Sequence, residues 1–357
     1  MGRFLQPHAE NHKVRYDEKN TSYTEIHARR LSLTMQPWQE QLQAWLTIYQ
    51  SYTAKGHVAT YIPALAHANP QALGISLYLP DHRLIEVGDT ATPFTMQSVS
   101  KVVNFMAACE TRGLAKVLEN VDVEPTGDSF DSMIRLEIHK PGKPFNPMIN
   151  AGAITVAALL PGEHETQKFD HFLTMMERCI GQKPRINQEV YASEMKTAYR
   201  NRAIAHYLKG SGYLDAEVED ALNVYIKECS VEVTTGDLAK IGLILAHDGY
   251  HPITGERIVT KKTAQVTKSL MLTCGMYNAS GKTAAFIGIP AKSGVSGGIM
   301  ASVGRRSPHA SMPFPDGCGI GVYGPAIDEY GNSVAGMALL QQLSEAWDMN
   351  IFSSNIE

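Results

Sequence analysis

The stretch FTMQSVSKVVNFMAAC, residues 94–109, places a short polar segment directly before an apolar helical pattern. Ser98 and Lys101 stand three positions apart, the apolar positions follow up to Cys109, and Gly113 ends the pattern. Residues three apart share one face of a helix, so this spacing can place the Lys101 amine beside the Ser98 hydroxyl. A serine hydroxyl needs a neighbouring base to act as a nucleophile, and a buried lysine of lowered pKa can be that base. The stretch therefore predicts a helix that opens on a serine nucleophile.

A second short motif, Lys292-Ser293-Gly294, stands shortly before the apolar run Gly298–Val303. A Ser-x-x-Lys motif followed far downstream by Lys-Thr-Gly is the pattern of the penicillin-recognising serine enzymes. Each motif alone also fits an ordinary alternative: a capping serine with a solvated lysine for the first, and a polar turn between strands for the second. Their joint occurrence in this order, with a helical block between them, favours the catalytic interpretation.

Strand-like runs occur towards both ends of the chain, and helical patterns fill the middle. We predict strands at 72–79, 84–87, 286–289, 298–303 and 317–323, a helical block at about 99–275, and a last helix capped by Ser333. This order predicts an α/β (α+β) fold in which an antiparallel sheet, flanked by helices, carries a large all-helical insertion. A cleft between the sheet and the insertion is the expected place for a site.

The predicted domain organisation has two parts. Residues 1–36 are polar and weakly patterned, and we expect them to form a flexible or loosely docked N-terminal extension. Residues 37–357 are predicted to form one catalytic domain. Within it, the helical subdomain at about 99–275 is inserted into the sheet subdomain.

Composition excludes several classes of protein. The chain has 357 residues, a net charge of −4, 44% apolar residues and 19% charged residues, and its positive charges are dispersed, so nothing predicts nucleic-acid binding. No window approaches about 18 uninterrupted apolar residues, and the N-terminus lacks the apolar core of a signal peptide. We therefore expect a soluble cytoplasmic protein that does not enter a membrane. The five cysteines form no Cys-x-x-Cys pair and are expected to be buried free thiols in a reducing compartment.

Two further patterns resemble ligand sites but do not predict them. The glycine-rich run at 317–324 is followed by Pro325 rather than by a helix, so it indicates a closely packed strand and not a dinucleotide site. The 13 histidines include no His-Glu-x-x-His, and His247 and His251 lie at a predicted helix end. We expect neither a metal nor a cofactor.

Sequence blocks spread over about residues 57–335 resemble the glutaminase family of bacterial and mitochondrial type, whose members share the serine β-lactamase fold. The longest blocks are NPMINAGAI at 146–154 and CGMY at 274–277. Shorter blocks are YIP at 61–63, QSVSK at 97–101, EPTG at 124–127, SE at 193–194, RN at 200–201, CSVEVT at 229–234, PITGER at 252–257 and AKSGVSGG at 291–298. The segment 128–133 is similar to the family's gating loop but differs from it in places. The resemblance implies a serine β-lactamase/DD-peptidase-like architecture.

The resemblance also implies roles for individual residues. Ser98 corresponds to the family's nucleophile and Lys101 to its base, while Tyr61 and Tyr277 correspond to phenols that relay protons. The backbone N–H groups of Ser98 and Val295 would form the oxyanion hole. The substrate-binding set implied by the family is Ser98, Asn150, Glu194, Asn201, Tyr225, Tyr277 and Val295.

The implied reaction is hydrolysis of the side-chain amide of L-glutamine to L-glutamate and ammonia, through an acyl-enzyme on Ser98. Glu194 can pair with the substrate's ammonium, and uncharged donors can bind its carboxylate. The family also implies a homodimer or homotetramer. Two alternatives stay open. One is a β-lactam-recognising serine hydrolase, although Tyr277 is followed directly by Asn278 and so gives no Tyr-x-Asn motif. The other is a catalytically inactive protein that binds glutamine.

Overall fold

The structure is a computed structural model that describes residues 37–138, 142–306 and 312–353. The predicted N-terminal extension, residues 1–36, lies outside these ranges. The chain divides into the units Met1–Gln41 and Leu42–Glu357, and apart from the first turns of α1 the elements described below belong to the second unit. Within the described ranges, no helix is both long and apolar enough to span a membrane.

In the described ranges, seven strands form two antiparallel sheets. They are β1 Gly74–Tyr78, β2 Leu84–Gly88, β3 Phe94–Thr95, β4 Glu232–Val233, β5 Ala291–Ser293, β6 Gly298–Val303 and β7 Cys318–Tyr323. The larger sheet has the order β2-β1-β7-β6-β5, and the smaller one pairs β3 with β4. Strands from both ends of the chain are therefore neighbours, which confirms the predicted mixed fold with an antiparallel sheet.

Helices occupy most of the chain between β3 and β5, as the helical patterns predict. The described helices are α1 Pro37–Gln50, α2 Ser100–Arg112, α3 Leu114–Asn120, α4 Ile134–Ile138, α5 Asn150–Leu159, α6 Glu165–Ile180, α7 Gln188–Thr197, α8 Tyr199–Gly210, α9 Val218–Cys229, α10 Thr235–Ala246, α11 Lys261–Cys274, α12 Ser280–Phe286 and α13 Val334–Ala346. The last helix begins where the sequence predicts, because the Ser333 hydroxyl accepts a hydrogen bond from the Gly336 N–H at 3.1 Å.

Two glycines of β7 allow helix α10 to lie directly on the sheet. A Cβ at Gly319 would come within 1.8 Å of Ala239 O, and one at Gly321 within 1.9 Å of Thr235 O. Only residues without a side chain permit this approach of backbone to backbone. The glycine-rich run is thus a packed strand, as predicted.

One predicted strand is wrong. The run 286–289 is the end of a helix and a turn, because α12 extends to Phe286 and the Ile287 N–H donates to Thr283 O at 2.9 Å. Gly288 then adopts a φ of +65°, and the strand begins only at Ala291. A short apolar run gives too few residues to separate a strand from a helix end by periodicity.

The small sheet fixes the backbone in front of α2. Phe94 of β3 stacks on Tyr323 of β7 with ring centroids 4.5 Å apart, which joins the two sheets. The next residue after β3, Met96, donates its N–H to Val231 O at 2.8 Å. The turn that follows, Gln97–Val99, is therefore anchored on both sides before α2 begins.

We expect Gly321→Ala to destabilise the protein strongly. The new Cβ would clash with Thr235 O at 1.9 Å, so α10 must move off the sheet. Overpacking of this kind typically lowers the free energy of unfolding by about 2–3 kcal/mol. Urea denaturation followed by circular dichroism measures the change.

The matched control is Gly210→Ala at the last residue of α8, where a Cβ would meet no heavy atom within 4 Å. That variant should keep its stability or gain up to about 1 kcal/mol. Equal losses in both variants would contradict the close contact between α10 and β7.

Candidate active site

Ser98 lies in a strained turn at the start of α2. It is the middle residue of the short 3-10 helix Gln97–Val99, and it is 8% exposed. Gln97 before it has a φ of +47°, a region that residues other than glycine rarely occupy. Strain of this kind persists only where the surroundings enforce it, and it is concentrated at functional sites.

Lys101 is a fully buried amine in the first turn of α2. Its Nζ donates a hydrogen bond of 2.6 Å to Asn150 Oδ1, and the side chain is 1% exposed. Burial lowers the pKa of Lys101 from 10.5 to about 8, against the opposing effect of nearby acidic groups such as Glu194. A substantial fraction of the amine is therefore neutral slightly above neutral pH, as a general base requires. No hydrogen bond joins it to Ser98 directly.

Asn150 connects the predicted base to the predicted substrate-binding residues. It is the first residue of α5, and its side chain does not cap that helix. Besides the Lys101 amine, its Oδ1 accepts the Tyr225 hydroxyl at 3.2 Å, and its Nδ2 donates to Asn201 Oδ1 at 2.9 Å. These bonds occupy both ends of the Asn150 amide and leave the Asn201 amide nitrogen to a ligand.

Glu194 is a buried carboxylate on α7. It is 8% exposed, and its Oε2 accepts a long hydrogen bond of 3.5 Å from Gln97 Nε2. Burial raises the pKa of Glu194 to about 7, while Gln97 and Lys101 act in the opposite direction. A buried carboxylate with no ion-pair partner among the described residues can accept a cationic group of a ligand.

Tyr277 carries a buried hydroxyl with no hydrogen-bond partner in the described part of the chain. Burial raises the pKa of this phenol, and the nearby Ser98 side chain lowers the pKa by a smaller amount. Tyr277 has a φ of +53°, and Lys292 Nζ lies 4.5 Å from its ring centroid. Lys292, of the second motif, is itself fully buried with a pKa well below its usual value, because burial and Lys101 both oppose its charge.

Tyr61 and Val295 lie at the margins of the site. Tyr61 is 56% exposed at the mouth of the cavity. The Val295 side chain packs against Ala59 and Ile327. The turn that contains Val295 is closed by two backbone hydrogen bonds, from Gly294 N–H to Gly298 O and from Gly297 N–H to Gly294 O. Neither bond uses the Val295 N–H. This turn approaches the backbone just before Ser98, since a Cβ at Gly294 would meet Met96 O at 2.6 Å.

These residues surround a cavity of about 430 Å³, a size suited to a small metabolite. Six predicted residues line it: Tyr61, Ser98, Asn150, Glu194, Asn201 and Tyr225. Lys101 lies behind the Asn150 wall, and Tyr277 and Val295 do not line the cavity. The lining also includes ionisable or polar residues for which sequence analysis predicts no role: Gln97, Asp131, Arg200 and Cys229.

The arrangement can bind a small cationic or zwitterionic ligand and attack it with a serine hydroxyl. Glu194 offers a carboxylate, Asn201 an amide and Ser98 a hydroxyl, and the buried Lys101 amine lies behind Asn150. In the described ranges, no group of three His, Cys, Asp or Glu side chains is arranged to hold a metal ion.

Comparison with known proteins gives one consistent result. A family model described as Glutaminase matches residues 56–352. Glutaminase 2 of Bacillus cereus is 59% identical over 311 residues, which are 87% of this chain and 95% of the relative.

Two solved structures of Bacillus subtilis glutaminase resemble the fold. A probable glutaminase complexed with 6-diazo-5-oxo-L-norleucine has a TM-score of 0.81 and 53% identity, covering 90% of this chain and 99% of its own. A covalent complex of the B. subtilis enzyme with 5-oxo-L-norleucine has a TM-score of 0.80 and 53% identity, covering 87% of this chain and 99% of its own. That complex formed by reaction of the protein with 6-diazo-5-oxo-L-norleucine.

We expect Lys101→Met to stabilise the fold at neutral pH. Between pH 8 and 10.5 the unfolded chain binds a proton at Lys101 that the folded chain does not, so the stability of the unsubstituted chain rises with pH across this window. Below it, the buried ammonium costs about 3 kcal/mol. Urea denaturation at several pH values should show a more stable variant near pH 7 and a vanishing difference near pH 10.5.

The control is Lys116→Met on the surface of α3, where the lysine side chain is 59% exposed. Its effect on stability should be small at every pH. If Lys101→Met were less stable than the unsubstituted chain near pH 7, the buried amine would not destabilise the folded state.

Proposed function

The chain belongs to the glutaminase family and hydrolyses the side-chain amide of L-glutamine to L-glutamate and ammonia, and we propose that it does so through an acyl-enzyme on Ser98. One observation carries this mechanism. The Ser98 hydroxyl lines the same cavity as the buried Glu194, which has no ion-pair partner among the described residues, and the buried Lys101 amine lies behind the wall of that cavity. A nucleophile, a base and a receptor for an α-ammonium are thus brought together in one small space.

Glutamine would bind with its α-ammonium against Glu194. The ammonium supplies a positive charge directly against the carboxylate, so binding should lower the pKa of Glu194 below about 7. Asn201 and Tyr225 would donate hydrogen bonds to the α-carboxylate. When the Tyr225 hydroxyl turns to the substrate, Asn150 Oδ1 is left to Lys101 alone.

In the acylation step, the Ser98 oxygen forms a bond to the amide carbon of the substrate. The Ser98 proton passes to the neutral Lys101 amine, with the unpartnered Tyr277 hydroxyl placed to relay it. The resulting oxyanion would be stabilised by the N–H groups of Ser98 and Val295. The C–N bond then breaks, the nitrogen takes a proton and leaves as ammonia, and the γ-glutamyl ester remains on Ser98.

Deacylation repeats these steps with water in place of Ser98. Water loses a proton to the same amine and its oxygen bonds to the ester carbon. The bond from that carbon to the Ser98 oxygen breaks, and the serine recovers its proton. L-Glutamate leaves, and the site returns to its starting protonation state.

A competing nucleophile in the same cavity is Cys229. Burial raises the pKa of its thiol, and Glu194 raises it further, so the thiolate is not populated near neutral pH. The covalent product formed by the B. subtilis relative supports covalent catalysis over the glutamine-binding alternative. The glutaminase relatives likewise favour glutamine over a β-lactam as substrate.

We also propose a cellular location, an oligomeric state and a domain division for the enzyme. All five cysteines are free thiols, which supports a reducing, cytoplasmic location. The family resemblance supports a homodimer or homotetramer, and exposed apolar side chains such as Ile134 and Ile138 on α4 are compatible with a contact surface. We keep the division into an extension at 1–36 and a catalytic domain at 37–357 with a helical part at about 99–275.

Ser98→Ala should abolish ammonia release from L-glutamine. Removing the nucleophilic oxygen leaves no route to the acyl-enzyme, so kcat should fall by at least about 1,000-fold. The fold should persist because the substitution removes one atom that faces the cavity. A coupled assay of ammonia release, with L-asparagine as comparison substrate, measures the loss.

Ser100→Ala is the matched control, two residues further along at the first residue of α2. The Ser100 hydroxyl lies in the core, 3.8 Å from Cys229 Sγ, and does not line the cavity. It should retain most of the activity. Normal turnover by Ser98→Ala would remove Ser98 from the mechanism.

Glu194→Gln should act mainly on substrate binding. An amide cannot neutralise the α-ammonium, and truncating one partner of a buried charge pair typically costs about 2–5 kcal/mol, which weakens binding by at least about 30-fold. We expect KM for L-glutamine to rise by that factor with a smaller change in kcat, measured by steady-state kinetics. An unchanged KM and kcat would show that Glu194 does not contact the substrate.

A further inference from the structure

Arg200 is a positive charge at the cavity that the mechanism above does not use. It is the second residue of α8, it is exposed, and it lines the cavity next to Asn201. Its Nε donates a hydrogen bond of 3.0 Å to Asp131 O. It forms no ion pair within the described part of the chain, so its guanidinium charge is available to a ligand.

From this arrangement we infer that Arg200 and the N-terminus of α8 bind the α-carboxylate of the substrate. The inference rests on the proposed function, and it adds a charged residue to a set in which the carboxylate was otherwise held by neutral groups. Arg200 is then a specificity-determining residue, because it selects free α-amino acids over substrates whose α-carboxyl group is blocked.

The charges of the cavity support this assignment. The ionisable lining residues are two acids, Asp131 and Glu194, two protonated tyrosines and a thiol, and one base, Arg200. Lys101 donates to Asn150 from behind the wall and does not line the cavity. A zwitterionic ligand pairs its ammonium with Glu194, and its carboxylate then finds its counter-charge at Arg200.

The geometry of the α7–α8 corner supports it as well. Glu194, Thr197, Ala198, Arg200 and Asn201 line the same side of the cavity and come from this corner. The α-ammonium and α-carboxylate are attached to one carbon, so their partners must lie near each other. The substrate's side-chain amide then extends from this corner towards Ser98 on the other wall.

The start of α8 is itself suited to an anion. No side chain caps this 12-residue helix at Ala198, which leaves the first N–H groups of the helix without a capping acceptor. Helix N-termini attract negative charge, and a cation is unfavourable there without one. Arg200 stands in that position and is held towards the cavity by Asp131 O. A bound carboxylate satisfies the guanidinium and the helix end together.

The experiment measures binding without turnover. In the Ser98→Ala background, titration calorimetry compares L-glutamine with its α-amide, which keeps the ammonium and the side-chain amide but lacks the α-carboxylate. Arg200→Gln should weaken L-glutamine binding about 5- to 10-fold and change binding of the α-amide less than about twofold. Arg200→Lys keeps the charge and should recover part of the affinity for L-glutamine.

The control is Arg202→Gln, two residues further along α8. Arg202 pairs with Glu219 at 2.9 Å and does not line the cavity, so its loss should leave both affinities unchanged. Equal weakening of both ligands by Arg200→Gln would overturn the inference, because it would show that Arg200 only anchors the Asp131 loop. Unchanged binding of both ligands would overturn it too.

A failure of this inference is separable from a failure of the proposed function. Ammonia release from L-glutamine by the unsubstituted chain tests the function alone. One pair of results would support the proposed function and contradict the proposed role of Arg200. In that case the unsubstituted chain hydrolyses L-glutamine, while Arg200→Gln in the Ser98→Ala background binds L-glutamine with normal affinity.

Discussion

The hydrogen bond of 2.6 Å from Lys101 Nζ to Asn150 Oδ1 is the interaction on which the site depends. It places an amine in the interior of the protein, where burial lowers its pKa to about 8. Burial therefore opposes the charged form of Lys101, as the proposed role of this amine as a base requires. The same Asn150 amide bonds to Tyr225 and Asn201, so the protonation state of the base is linked to the groups that meet the substrate.

The rest of the fold holds this arrangement in place. The small β3–β4 sheet and the Gly294 turn enclose the backbone that carries Ser98, and they maintain Gln97 in a left-handed conformation that it would not adopt alone. Tyr277 is held in the same region of φ, with its hydroxyl unpartnered near Ser98. The strained backbone at Gln97 and Tyr277 and the unsatisfied Tyr277 hydroxyl oppose stability at this place, as expected of a site organised for a reaction.

Local patterns were sufficient for much of the fold. The bounds of β6, the hairpin of β1 and β2 and the Ser333 cap follow from alternation, turn residues and a capping hydroxyl. The strand predicted at 286–289 is wrong because its few apolar residues fit the period of a strand and that of a helix equally well. Only the hydrogen bonds at the end of α12 decide between the two.

Sequence analysis predicts which residues line the cavity better than it predicts the contacts between those residues. Family blocks pointed to six residues that line the cavity, but the Lys101–Asn150 bond joins residues 49 positions apart, which no local pattern reveals. Arg200 was part of a recognised block, yet its place at the cavity depends on the angle between α7 and α8. Contacts between distant segments follow from packing, and sequence spacing does not encode them directly.

The most direct test of the central claim is to locate the covalent bond. The protein would be incubated with 6-diazo-5-oxo-L-norleucine, the reagent that forms a covalent complex with the B. subtilis relative, and digested for peptide mass spectrometry. We predict a 5-oxo-norleucyl adduct on Ser98, formed rapidly in the unsubstituted chain and absent from Ser98→Ala. An adduct on Cys229 or on one of the cavity tyrosines, with Ser98 unmodified, would contradict the account of Ser98 as the nucleophile that the buried Lys101 serves.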